Sequence, residues 1–424
     1  MSYRTRSSVV LVILSAALLQ LSFPIAAQET LGLARAEQLA LERDTLHGSL
    51  IAKVDALEQQ SIADQQLPDP KVQLGLVNFP TDTFRRDQEP MTQVLVGVQQ
   101  AFPRGDSLQI RSAQTGVRAQ RLREMARNRE AMVRRDVSLA WYELYYWLQA
   151  EDIIEHNRNL FSQLLNVTQY QYSSGRRKQQ DVIRAQLEMS QLDDRIAEVR
   201  GKQDVARASL SRWIGEQAAA QGLVNKLPEA VALPARKVLQ DRLAEHPKLR
   251  AATTDIEVQE KDVALAREAY KPEWMLGVNY GIRDGRNADG SNRADFLSAM
   301  VTVDIPLFSG KRQDRRLEAR QHQLQAAKFA FDDQYRELNQ MLDSSYAEWE
   351  RLQERERLYK STLLPQARQN AESALLAYQN DTADFANVMR ARITELDIEL
   401  KFLRITLDMY KAQAKIAYLA GDRS

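Results

Sequence analysis

Four histidines, His47, His156, His246 and His322, are the side chains best suited to bind a metal or to move a proton near neutral pH. They lie far apart, and no pair has the few-residue spacing of a zinc site. His246 precedes Pro247, which places it in a turn. Cysteine is absent, which excludes disulfides, thiolate metal sites, Cys nucleophiles and a lipid anchor on an N-terminal Cys. There is no Gly-rich phosphate loop and no nucleophile motif. Carboxylates are plentiful, but they fall at ordinary spacing among mixed charges such as Arg134, Arg135, Glu354 and Arg355, the pattern of a solvated helix face. The chain therefore reads as no enzyme, with no catalytic, cofactor-binding or metal-binding residues.

What remains is architecture. The 424 residues are 44% apolar and 27% charged, outside the ranges of disordered chains and helical membrane bundles. A net charge of +1 provides no global field for nucleic acid. Residues 1–27 read as an export signal: Arg4 and Arg6, then a mostly apolar run from Val9 to Leu21, then Pro24-Ile25-Ala26-Ala27 for cleavage. No later run has the roughly 18 apolar residues of a membrane helix, so any return to a membrane has to be made by strands.

The chain is written twice. Gly105 recurs as Gly310, and Val133, Val137, Ala140, Leu144 and Trp147 recur as Leu338, Leu342, Ser345, Trp349 and Leu352, all at an offset of 205 residues. Steps of four and three make each set a coiled-coil seam. Long helices are expected at 107–172 and 311–378, each about 100 Å at 1.5 Å per residue. Return helices are expected at 178–213 and 384–419. The first carries Val182, Ala185, Met189, Leu192, Ile196 and Val199; the second carries Ile393, Leu396, Leu400, Leu403, Leu407 and Tyr410. The breaks are hairpin tips. Ser173-Ser174-Gly175 supplies a left-handed helix end, and Asn380-Asp381-Thr382 supplies an end and an N-cap.

Before each long helix stand two runs that alternate with period two. In the first repeat, Val72, Leu74 and Leu76 share a face, as do Val94, Val96 and Val98. In the second repeat, Trp274, Leu276, Val278 and Tyr280 share a face, as do Leu297, Ala299, Val301 and Val303. Long loops, 80–92 and 283–295, join the pairs. Phe79, Phe102, Trp274, Tyr280 and Phe296 near strand ends suit an interfacial girdle. Alternation alone fits a soluble sheet on helices equally well. In lipid, however, four strands leave two open edges, which a membrane does not tolerate. The smallest membrane barrels have about eight strands, so several copies would have to share one barrel.

This layout resembles the outer-membrane efflux protein family, of the TolC type, over nearly the whole mature chain. The resemblance rests on L-P-D-P-K-V-Q-L-G-L at 67–76, V-D-I-P-L-F-S-G-K-R at 303–312, and a tyrosine nine residues before Asp181 and again before Asn387. It implies a mainly α fold with membrane β: a homotrimer with a twelve-stranded barrel in outer-membrane lipid, set on a periplasmic α-helical tunnel. The implied order is signal 1–27; helical equatorial segment 28–66; β-hairpin 67–106; helical hairpin 107–213; equatorial segment 214–250; a helix leading to the barrel, 251–270; β-hairpin 271–310; helical hairpin 311–420; and tail 421–424. The implied function is the passive exit duct of a tripartite efflux pump for heavy-metal ions or drugs, with a periplasmic adaptor and an inner-membrane transporter of the RND type as partners. A type I protein-secretion duct and a periplasmic coiled-coil adaptor or scaffold are the alternatives. Met91, in E-P-M-T-Q, resembles members paired with metal pumps only weakly.

The resemblance also assigns sites. Adaptor contacts map to the tips Ser174, Gly175, Arg176, Gln379, Asn380 and Asp381. A periplasmic aperture maps to Asp181, Arg184, Tyr378, Asn387 and Arg390, with a carboxylate–tyrosine hydrogen bond from Tyr378 to Asp181. Well-known members carry two aspartates where this chain has Asn387 and Arg390, which implies a neutral or basic aperture favouring anions.

Overall fold

The computed structural model describes residues 30–176, 178–229, 232–380 and 382–421. The export signal expected at 1–27 and the tip residue Asp381 lie outside the described residues. The elements run α1 (Leu33–Arg43), α2 (Thr45–Asp64), β1 (Lys71–Val77), β2 (Gln93–Phe102), α3 (Ser107–Ser173) and α4 (Gln179–Ile214). A short α5 (Glu216–Ala219), α6 (Arg236–Arg242) and a 3-10 turn at Leu243–Glu245 precede α7 (Pro247–Glu268). The second repeat continues with β3 (Glu273–Arg283), β4 (Phe296–Asp304), α8 (Gln313–Leu358), α9 (Leu364–Gln379) and α10 (Phe385–Ala420).

The seam residues do what their spacing asks. Val133, Val137, Leu144, Leu338 and Leu342 are buried completely. The first core gathers around Trp141, which stacks on Tyr145 at 5.2 Å and donates its indole N–H to the Leu31 carbonyl at 3.2 Å. Leu210 and Ile214 of α4 and Leu407 of α10 close this core. A second core, nearer the tips, joins Ile154 and Phe161 of α3 to Ile196 of α4 and to Tyr378, Phe385 and Leu396. A third ties Leu239, Leu243 and Leu249 to Leu338, Leu342 and Ile416. Long helices with narrow stripes thus bury their seams in successive cores along the bundle.

The two long helices differ. α3 runs unbroken for 67 residues. The stretch expected as one helix at 311–378 is instead interrupted by a π-turn, Tyr359–Leu363, before α9. Pro365 sits in the first turn of α9. It has no N–H for the carbonyl four residues earlier, and its ring crowds that carbonyl, so the ladder widens ahead of it. The proline itself was the legible signal.

The segment 28–66 also divides in two. α2 leads into β1 just as α7 leads into β3, and Pro70 and Pro272 stand at matching places before the strands. α2 lies along α3, with Ser61 bonded to the Ser112 carbonyl at 2.9 Å and Thr115 to Asp64 at 2.6 Å. Each repeat is therefore helix, strand pair, long helix and return helix. Asp44 and His246 occupy the same N-cap position, before α2 and α7, and both accept a backbone N–H.

Candidate functional site: an apolar sheet face and two hairpin tips

The four strands form one antiparallel sheet in the order β1-β2-β3-β4. Its register places Val72 beside Val98, Val98 beside Val278, and Val278 beside Ala299. Leu74, Val96, Tyr280 and Leu297 line up in the next row. One apolar face therefore crosses all four strands, and it is bare: Leu74 is 75% exposed and Val72 71%. No helix of the described residues is long and apolar enough to cross a membrane.

The opposite face is mostly polar or small, with Leu95, Met275 and Met300 among its residues. Gln73, Gln93, Gln99, Asn279, Ser298 and Thr302 alternate with glycines. A side chain at Gly97 would collide with Asn279, and one at Gly281 with Gln93. The glycines leave the space into which those amides lean, as the crowded inner surface of a curved sheet requires. β1 and β4 are open edges within the single chain.

At the far end of the bundle lie the tips. Gly175 has φ +71°, and the Arg176 N–H reaches back to the Gln171 carbonyl at 2.9 Å, the six-to-one bond of a left-handed helix end. In the second tip the Thr382 N–H reaches the Ala377 carbonyl at the same distance, and the Thr382 hydroxyl bonds that carbonyl too. Thr382 therefore closes α9. The N-cap expected at 380–382 falls instead on Asp384, whose side chain makes no capping bond.

The tip tyrosines have diverged. Tyr172 is 43% exposed, whereas Tyr378 is 1% exposed and meets Phe385 edge-on at 5.6 Å. The Tyr378 hydroxyl donates to Gln171 Oε1 at 3.1 Å. This corrects the expected bond to Asp181: among the described residues none joins Asp181 to Tyr378. Asp181 occupies the first turn of α4, where its charge suits the helix N-terminus. Nothing in the sequence distinguished Gln171 from the other glutamines near it.

The other residues expected at the aperture separate into two positions. Asn387 and Arg390 are exposed on α10, on the face that also carries exposed Thr394. Arg184 is half-buried on α4. Beneath them Arg392 and Glu395 form an ion pair at 2.8 Å. Ser174, Gly175, Arg176, Gln379 and Asn380 are all exposed at the tips. Deeper in the bundle, burial pushes the Glu143 carboxyl up, but the bonds and charges of Lys411 and Arg404 more than offset this and hold it below the usual range.

Residues 238–422 match the family model of the outer membrane efflux protein. The chain is 21% identical over 316 residues, 72% of each chain, to the cobalt-zinc-cadmium resistance protein CzcC of Cupriavidus metallidurans. Its fold matches the outer-membrane channel OprN with a TM-score of 0.75 at 16% identity, covering 92% of this chain and 89% of that one. It matches the open state of the MtrE outer-membrane channel of Neisseria gonorrhoeae with a TM-score of 0.76 at 15% identity, covering 92% and 88%. The chain thus has the fold of these outer-membrane channels, and its second repeat matches the outer membrane efflux protein model.

Proposed function

We propose that three copies of this chain form the exit duct of a tripartite efflux pump, fed by a periplasmic adaptor and an inner-membrane transporter of the RND type. The observation that carries the reading is the four-stranded sheet with a bare apolar face and two open edges. Such a sheet enters lipid only when its edges are closed by identical neighbours. The cargo is divalent heavy-metal ions, a reading supported by the likeness to CzcC. A strain lacking the gene should become sensitive to cobalt, zinc and cadmium and regain resistance when the gene is returned. Sensitivity confined to detergents and antibiotics would reassign the cargo to drugs.

The tips meet the adaptor through Ser174, Gly175, Arg176, Gln379, Asn380 and Asp381. Asp181, Arg184, Tyr378, Asn387 and Arg390 surround the closed aperture. Arg390 is exposed on the same α10 face as Asn387, so three copies set a basic ring that holds cations back until the adaptor opens the tips. Planar-bilayer recordings should show an anion-favouring low-conductance state that loses its preference in Arg390→Ala. Strong cation selectivity unchanged by that substitution would refute the basic ring.

A further inference from the structure

The two strand pairs share one register. Lys71 faces Gln99 in the first, and Glu273 faces Asp304 in the second. β3 is β1 advanced by 202 residues, and β4 is β2 advanced by 205, the offset that also relates the helical seams. The contact between repeats, β2 on β3, is therefore a template for the contact the open edges lack, β4 on β1 of the next copy.

Resting on the trimeric reading above, we propose that β4 pairs with β1 of a second copy in the register of β2 on β3. Phe102 faces Trp274 within the chain, and Gln100 faces Leu276. Transposed by the two offsets, Leu307 faces Val72 of the next copy, Ile305 faces Leu74, and Val303 faces Leu76. All six residues are apolar, and all lie on the outward face. Five of them, Val72, Leu74, Leu76, Ile305 and Leu307, are at least 60% exposed in the single chain. A slip of one residue would set this row against the polar face of β1.

The same template explains why β4 stops early. β2 continues through Phe102 although β1 already ends at Lys71 opposite Gln99, because β3 is there to pair with Gln100, Ala101 and Phe102. Their counterparts Ile305, Pro306 and Leu307 have no such neighbour within the chain, and the strand ends at Asp304. Pairing with the next copy extends it to Leu307.

The helices give an independent check. α7 packs on both α3 and α8, and Arg250 of α7 lies 3.6 Å from Glu124 of α3. Transposed, this contact becomes Gly48 of α2 against Phe329 of the neighbouring α8. Phe329 is 64% exposed, and nothing lies within 4 Å of where a Gly48 side chain would begin. A large exposed ring therefore meets a helix position with no side chain.

Because the chain has no cysteine, engineered pairs report without background. Two double variants, Val303→Cys with Leu76→Cys and Thr302→Cys with Val77→Cys, cover adjacent rungs of the ladder. Purified in detergent and oxidised with copper phenanthroline, both should run as covalent trimers on non-reducing denaturing gels. The slipped pairs, Val303→Cys with Leu74→Cys and Thr302→Cys with Gly75→Cys, should cross-link at several-fold lower yield. Slipped pairs that link as well as or better than the matched ones overturn the register while leaving the trimer intact. A wild-type protein of monomer mass in native mass measurement overturns the trimeric reading itself. Phe329→Ala and Gly48→Phe should each lower the temperature at which the trimer dissociates. If neither shifts it, the transposed helix contact is wrong.

Discussion

α3 and α8 are copies of one helix, and they live in different surroundings. α3 is enclosed by α2, α4, α7 and α10, and its burial continues from Ser107 to Thr168. α8 is buried at Gln313 and then not again until Leu338, leaving its upper half bare. Equivalent residues share this contrast: Trp141 is fully enclosed, while Tyr346, its counterpart, is half-buried. Duplication kept the seams and the strand register but gave one copy its neighbours from within the chain. In the proposed trimer, the other copy's neighbours come from the adjacent chain.

The largest effect should separate Trp141 from Tyr346. Trp141→Ala empties a packed core and removes the bond to the Leu31 carbonyl, which should cost about 3–5 kcal/mol. Tyr346→Ala should cost clearly less. Thermal unfolding in detergent measures both, and equal losses would mean that the two helices are equally enclosed.

Next comes the sheet. A charge in the middle of the apolar face, as in Val98→Arg, should destabilise insertion by about 2–4 kcal/mol. Gly75→Ser, on the polar face, should be tolerated. Recovery of trimer from outer-membrane fractions distinguishes the two. A Val98→Arg protein recovered at wild-type yield would mean that this face does not meet lipid.

The two N-caps differ in the pH at which they fail. Burial depresses His246 to about 4, while its ring holds the Tyr418 carbonyl at 3.1 Å and the Lys248 N–H at 3.2 Å. Its folded pKa lies below the ordinary 6.5, so its contribution is complete above pH 6.5 and is lost as pH falls from there towards 4. The whole window amounts to about 3 kcal/mol at 1.36 kcal/mol per pKa unit. Asp44, bound by both arms of Arg129 at 2.9 and 3.0 Å, is held below the ordinary 3.8. Its contribution is present above that value and fails only in stronger acid. Unfolding measured from pH 7 to 4 should flatten in His246→Asn, which keeps a capping side chain, and should keep its slope in Asp44→Asn.

The smallest effect belongs to the tips. Tyr378→Phe removes the bond to Gln171 and should cost about 0.5–1.5 kcal/mol, with more frequent spontaneous openings in bilayer recordings. Tyr172→Phe, at the exposed counterpart, should change neither. Identical behaviour of the two variants would mean that the tip tyrosines are interchangeable.

Much of this was legible in order. The heptad steps at Val133–Trp147 and Leu338–Leu352, the alternation of 71–77 and 296–304, and Gly175 at a helix end each report a local period or a local backbone preference. Pro365 was legible but bore on a longer helix than its own turn. Gln171 was not legible, because its meeting with Tyr378 depends on how two helices from different repeats are phased, and no residue type encodes that phase. The aperture positions Arg184, Asn387 and Arg390 were placed by resemblance, and the chain's own fold sets two of them on one exposed face of α10.

The sequence by itself determined the repeat, the elements and the faces, because helix and strand periods act over a few residues. Only the tertiary structure decided that the two strand pairs join edge to edge in one register, that α2 matches α7, and that one tip tyrosine is buried while its twin is not. Those outcomes depend on which apolar surfaces find one another across some two hundred residues of chain, a competition settled by packing and not by any local period.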